Sequence, residues 1–399
     1  MKLPLWGSAL SATLLIQVVT SFASSTIPLL GPLLTQRWGL PPESIGYVSA
    51  VVSLGICWYL ACGGPMLDHF GPIRTLQWGL ASVALGLALL TLPHAAFGIC
   101  GALLIGLGVA PNNPAGSTIL MRASPERHRS LIFSIRQAGV PFGGALAGIT
   151  MAPAVLLLGF LPAVALIIGI VVAAILASQI SRTRLDAERG PHNPRWAGMF
   201  FSSSAFRRSA AVIRGNQPLL LVTAIGIGFS IAQTCVTAFT ATYLVTNGKS
   251  LAEAGSYVAV LLAASTISRI VLGFLADRWG RTLLLLCLLA IATGAAICAL
   301  VLSAGAAAWV TYLCVAWIGA TSLGWNGVYM AELARLAPQG LIGDVTSAAN
   351  LFGFIGSVLG PIIFAMIARQ SGSFDLPYYL VGAQVAVCAL IVLHLRGWR

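Results

Sequence analysis

The sequence predicts an all-α membrane protein of twelve transmembrane helices, arranged as two pseudo-symmetric six-helix bundles. Three observations lead there. The 399-residue chain is 58% hydrophobic and only 8% charged, with a mean hydropathy of +0.92; a water-soluble domain needs more charged side chain than that to cover its surface. Twelve runs stay apolar over roughly the 20 residues that a helix needs to cross a ~30 Å hydrocarbon core. Polar landmarks of the first half recur at a fixed offset in the second.

In order, the spans fall at roughly 5–30, 44–66, 75–93, 96–121, 131–153, 154–181, 217–244, 254–276, 282–304, 309–336, 344–369 and 377–395, with ends good to ~2–4 residues. The first follows Lys2 and passes through Ser21-Phe22-Ala23, as a cleaved signal peptide would. Its length, its Gln17 and a counterpart opening the second half mark it as a retained span. Lysine and arginine set the orientation. Lys2, Arg74, Arg122, Arg127, Arg129, the 182–215 segment, Arg278, Arg281, Arg335, Arg396 and Arg399 fall on one side, against Arg37, Lys249 and Arg369 on the other. The richer side is expected to be cytoplasmic, with both termini inside and the chain in the inner (cytoplasmic) membrane.

That asymmetry accounts for a net charge of +12, and no nucleic-acid partner is expected. Segment 182–215 carries Arg182, Arg184, Arg189, Arg195, Arg207, Arg208 and Arg214 and is the long polar stretch of the chain. It divides the sequence into a bundle at 1–181, a cytoplasmic linker at 182–215 and a bundle at 216–399. Trp196, Phe200, Phe201 and Phe206 among its basic residues suit a segment lying on an anionic inner leaflet, so membrane lipid is an expected partner.

The repeat is visible residue by residue. An offset of 213 carries Asn113 onto Asn326, Arg122 onto Arg335, Ser134 onto Ser347, Gln137 onto Asn350 and Gly143 onto Gly356. An offset of 209 carries Asp68 onto Asp277 and Gly71 onto Gly280. Internal duplication is the expected build of transporters that rock one half against the other around a midplane site.

The turn at 273–281 reads Gly273-Phe274-Leu275-Ala276-Asp277-Arg278-Trp279-Gly280-Arg281, with a weaker copy at Gly64 to Pro72. The strong copy resembles the G-x-L-x-D-R-x-G-R loop signature of the major facilitator superfamily of transporters. The resemblance covers the chain in architecture and implies the two six-helix bundles; only the turns match closely. Mechanically, Asp277 can accept hydrogen bonds at a helix N-terminus, where the dipole favours its charge, and Gly280 permits the turn. Glu332 is the expected partner of Arg278. The first half lacks both, with His69 and Ile119 at the matching places, as expected of residues that bind each other. Asp68, Gly71, Asp277, Arg278, Gly280, Arg281 and Glu332 are therefore read as a gate latch.

Two arginines lie inside spans, Arg136 in the fifth and Arg269 in the eighth. A charge at membrane depth costs at least ~2.5–3.5 kcal/mol, so such residues face a cavity or a partner. Arg269 lies about 12 Å above Asp277 at 1.5 Å per residue, too deep to reach the surface. No Asp or Glu lies deep in any span. Excess buried positive charge is complementary to an anion, and an arginine fork suits a carboxylate. Arg269 also resembles the eighth-helix arginine of the monocarboxylate and oxalate–formate branches of the superfamily, although Ser265 stands where animal monocarboxylate carriers have an aspartate.

Gln17 and Gln233 are bulky members of matched polar stripes on the first and seventh spans. Asn113 and Asn326 sit where Pro111-Asn112-Asn113-Pro114 and Trp325-Asn326-Gly327 interrupt the fourth and tenth spans, and broken helices expose polar backbone. With Gln137 and Asn350 they complete the candidate substrate-binding set; for Asn113 and Asn326, packing between helices is the competing reading. The segment Arg136 to Gly144 loosely resembles the fifth-helix glycine–proline motif of drug and proton antiporters.

The eight cysteines lie in apolar spans without a Cys-x-x-Cys pair, and the five histidines form no metal pair or triad. No phosphate-binding loop is present, which argues against ATP drive. The expected function is therefore secondary active transport of a small organic anion, a carboxylate first, by alternating access. It is not expected to be an enzyme. A coupling proton is left open, no cofactor or metal is expected, and the chain is expected to work as a monomer. The alternative is drug or metabolite efflux; a non-transporting membrane receptor comes third.

Overall fold

The computed structural model describes residues 4–125, 129–186, 211, 214–279, 281–303, 305–336 and 342–396. Among these residues the chain is helical and has no strand. The helices are α1 (Leu5–Leu29), α2 (Gly31–Arg37), a 3-10 turn at Pro42–Ser44, α3 (Ile45–Cys62), α4 (Gly64–Phe70), α5 (Pro72–Leu90), α6 (Ala95–Val109), α7 (Asn112–Ala123), α8 (Arg129–Leu158) and α9 (Phe160–Leu185). They continue with α10 (Gln217–Thr246), α11 (Leu251–Trp279), α12 (Thr282–Leu302), α13 (Ala308–Ser322), α14 (Asn326–Leu336), α15 (Ile342–Ser371) and α16 (Asp375–Arg396).

Among the described residues, ten helical segments are long and apolar enough to cross a membrane. The two remaining expected spans are helical as well: the tenth is α13 followed by α14, and the twelfth is α16, apolar over Asp375–Ile391. Local signals set several ends. Asn216 accepts a hydrogen bond from the Leu219 N–H (3.2 Å) to cap α10. Ser250 and Glu253 exchange bonds of 3.2 and 2.8 Å across the start of α11, a capping box.

By packing the chain forms two compact units, one of Met1–Ile27 with Val51–Ser203, the other of Pro28–Ala50 with Ser204–Arg399. Pro28–Ala50, expected with the first bundle, packs with the second unit. The reason is close packing: Gly31 lies against Ile45 and Thr242, and Gly46 against Phe239 and the Pro361 carbonyl, where any Cβ would collide. The segment expected as a linker is described only to Asp186 and again at 211 and 214–215; its remainder lies outside the described residues.

Glycine seams hold each unit together. In the first, Gly79 and Gly108 bring α5 and α6 backbone to backbone, as do Gly86 and Gly101, and the Ser82 hydroxyl donates to the Leu104 carbonyl (2.6 Å). Gly55 and Gly106 do the same for α3 and α6, where a Cβ at Gly106 would fall on the Val52 carbonyl. In the second unit, Gly319 rests on the Leu261 carbonyl and Gly294 on that of Gly382. Small residues at such crossings are how helices pack when lipid tails remove the hydrophobic incentive.

Candidate functional site

In the first unit the fourth span breaks between α6 and α7. Pro111 and Pro114 have no N–H to give, so carbonyls near the break lose helical partners. A carbonyl at the start of α7, that of Asn112, also takes a bond from α8. The Arg136 Nη2 donates to the Asn112 carbonyl and to Gln17 Oε1 (2.9 Å), tying α7, α8 and α1 together. Arg136 is 1% exposed. Its seat exists because residue 116 is glycine, since a Cβ there would collide with the guanidinium. The Nε and Nη1 atoms are buried without a partner among the described residues.

The second unit repeats the arrangement with other elements. The tenth span breaks between α13 and α14, and the Arg269 Nε, from α11, donates to the Leu323 carbonyl there (3.2 Å). Ser268 donates to the neighbouring Ala320 carbonyl. Arg269 is half-buried, and Ser265, one turn earlier, is fully buried. Gln233 on α10 accepts through Oε1 from Trp325 Nε1 (2.9 Å) and Asn326 Nδ2 (3.3 Å). Trp325 stacks on Phe229 at 5.1 Å and packs on Tyr329 at 5.0 Å. Arg182 pairs with Asp186 and Arg335 with Glu332, and among the described residues neither span arginine is ion-paired to an acid.

The remaining expected positions divide. Gln17 is buried against Arg136, and Gln233 and Asn326 share a hydrogen bond. Asn113, Gln137 and Asn350 are exposed and join neither cluster. The asparagine that turns inward at the first break is Asn112, 3% exposed.

At the turns, the described residues redraw the latch. Glu332, fully buried, is held by Arg335 (2.6 Å) and by the hydroxyl of Thr282, the first residue of α12. Arg278, its expected partner, is exposed, as is Arg281. Arg335 wins because it lies one turn away on the same helix. Gly71 has φ +84° and ψ 161°, a conformation open essentially to glycine, and its open side faces Asp186. Asp186 accepts from the Ile73 N–H (2.7 Å) and Arg74 N–H (3.1 Å) at the N-terminus of α5. Each unit thus sets an acid at the start of its third span, where the dipole favours it. The side chains of Asp68 and Asp277, and Gly280 itself, lie outside the described residues.

Asp186, Asn112, Gly116, Thr282 and Arg335 were not singled out by sequence as site residues. Asp186 had one usable signal, being an acid at the end of the sixth span in a chain with only 10 acids.

Comparison with known proteins agrees with this architecture. The chain is 25% identical to the probable galactarate/D-glucarate transporter GudP of Escherichia coli (strain K12), over 95% of this chain and 91% of that protein. It is 28% identical to the 4-hydroxybenzoate transporter PcaK of Pseudomonas aeruginosa, over 37% of this chain and 33% of that one. Among solved structures, a peptide transporter crystallised with sulfate superimposes with a TM-score of 0.79 at 14% identity, covering 98% of this chain and 94% of that one, which shows the shared fold. The family model described as Major Facilitator Superfamily matches residues 13–361. With its two helical units and broken fourth and tenth spans, the chain belongs to the Major Facilitator Superfamily and is a membrane transporter.

Proposed function

We propose that this transporter moves a small organic anion bearing a carboxylate across the inner membrane by alternating access, with both termini in the cytoplasm. The observation that carries the reading is the state of Arg269. Its Nε is fixed by the Leu323 carbonyl, and its two terminal nitrogens have no partner among the described residues. Those nitrogens share one edge of a planar, permanently charged group, which is the edge that grips a carboxylate with two parallel hydrogen bonds. The carbonyl bond holds the guanidinium in place beforehand, so little side-chain freedom is lost on binding.

Arg136 adds a second buried positive charge without an acid beside it. The named substrates of GudP and PcaK are carboxylic acids, which supports the same chemistry. A proton is the proposed coupling ion only in the sense that the substrate itself can carry it, since the described residues place no acid beside either arginine.

Proteoliposomes test the reading. Vesicles loaded with a panel of organic acids are expected to exchange at least one of them for external labelled acid. Exchange of cationic drugs in place of acids would overturn it.

A further inference from the structure

We propose that Gln233 donates its amide N–H groups to the transported anion, and that Trp325 is the positioning residue that turns those groups toward it. The proposal rests on the carboxylate reading above and deepens it, and its residues all lie in the second unit. It starts from an orientation that the chemistry of the partners decides. An indole nitrogen can only donate, so the Gln233 atom 2.9 Å from Trp325 Nε1 is the amide oxygen. Asn326 Nδ2 donates to the same oxygen at 3.3 Å. With both of its acceptor sites taken, the amide is held by its oxygen, and Nε2 points away without a partner among the described residues. Gln233 is half-buried, and its Nε2 keeps accessible surface, unlike the sealed Nε and Nη1 of Arg136.

The holder is itself held. Trp325 is 3% exposed, stacked on Phe229 with 17° between the ring planes and packed on Tyr329. Tyr329 in turn fills the space that a Cβ on Gly226 would need, so the indole cannot turn away without unpacking α14 from α10. The same break anchors Arg269, whose bond to the Leu323 carbonyl lies two residues before Trp325, at most about 7 Å of chain. The polarity of the contact follows. An amide presented through its N–H edge suits an accepting oxygen and repels an ammonium group; turned over, it would present its oxygen and reverse that preference. The indole N–H selects the first orientation by leaving the second with two donors facing each other.

Full-length purified protein, titrated with D-glucarate, succinate, lactate and benzoate, provides the test, with dissociation constants from thermal stabilisation. For an acid that the parent binds, Gln233→Leu is expected to weaken binding at least about 10-fold, the loss of one hydrogen bond to a charged group. Trp325→Phe keeps an aromatic ring on Phe229 and removes the N–H. It is expected to weaken binding at least about threefold, because the amide then spends most of its time turned over. Placed in the Gln233→Leu background, Trp325→Phe is expected to change affinity by less than about 1.5-fold, since it acts only through the amide. An equal loss in both backgrounds would make Trp325 a packing residue and overturn its positioning role. Unchanged affinity in Gln233→Leu overturns the contact itself. Should Gln233→Leu fail to fold, Trp325→Phe decides alone, and unchanged affinity there overturns the proposal. All of these outcomes leave the carboxylate reading standing; binding of none of the four acids overturns both.

Discussion

Glu332 and Arg335 form a 2.6 Å ion pair one turn apart on α14, and they share burial unequally: the carboxylate side chain is fully enclosed, while the arginine keeps 46% of its surface exposed. Removing the two partners therefore has different consequences. Arg335→Ala takes the cation from an acid that cannot reach water, at a cost of about 3 kcal/mol. Glu332→Gln keeps a hydrogen-bonding group beside Thr282 and leaves an arginine already facing water, at roughly 1 kcal/mol. Thermal unfolding in detergent should show the larger drop for Arg335→Ala. The opposite order would mean that the carboxylate depends mainly on another group.

Arg269→Lys is expected to fail almost as completely as Arg269→Ala. A lysine carries the charge but cannot bond the Leu323 carbonyl from one edge while presenting a fork on another. Losing a buried charged contact to the anion costs about 2–5 kcal/mol, or roughly 30- to several-thousand-fold in affinity. Isothermal titration with the acid found in the exchange assay measures this, and near-normal affinity in the lysine variant would remove the fork from the site.

Asp186→Ala should destabilise the first unit by about 1–2 kcal/mol, since it strips two N–H groups at the start of α5 of their acceptor. Asp186→Asn retains an acceptor oxygen and should cost about half as much. Denaturation monitored on the two variants and the parent gives the comparison. Equal losses would show that the negative charge, rather than the hydrogen bonding, carries the effect.

Gly71→Ala is expected to cost about 1–3 kcal/mol from backbone strain, because a side chain is disfavoured at φ +84° and its Cβ would lie 3.0 Å from the Asp186 carboxyl carbon. The second contribution vanishes when Asp186 is also removed. The double variant Gly71→Ala/Asp186→Ala should therefore be more stable than the sum of the single losses predicts. Strict additivity would place the whole cost in the backbone.

Much of the architecture was legible because it is written locally. Apolar run length marks a span wherever it occurs, and Pro111-Asn112-Asn113-Pro114 announces the break between α6 and α7 without reference to anything distant. That Arg269 would lie in a span with no acid paired to it was readable from its depth and from the shortage of acids. What escaped was phase and partnership. A broken helix has no continuous period, so periodicity does not say which of Asn112 and Asn113 is buried; the repeat pairing points to Asn113, and the structure buries Asn112. The matched absence in the first half points to Arg278, fifty-four residues away, as the partner of Glu332. The structure instead supplies Arg335, one turn along the same helix. Asp186 reaches α5 only because the fold returns α9 to it, and no local pattern encodes that return.

The seam of Gly55 and Gly106 also bears on how the first unit is made. It joins the second and fourth spans, which are not neighbours in sequence, and the third span must already be in the bilayer before they can meet. The seam has almost no side chain in it, so neither partner gains from it while waiting; the contact pays only once the backbones touch. In a chain made from its N-terminus, neither the α5–α6 hairpin nor the α3–α6 seam can close before α6 has left the ribosome. A bulky residue at Gly106 would spare membrane insertion and strike at that docking, yielding a chain that spans the bilayer fully yet is cleared by quality control before it transports anything.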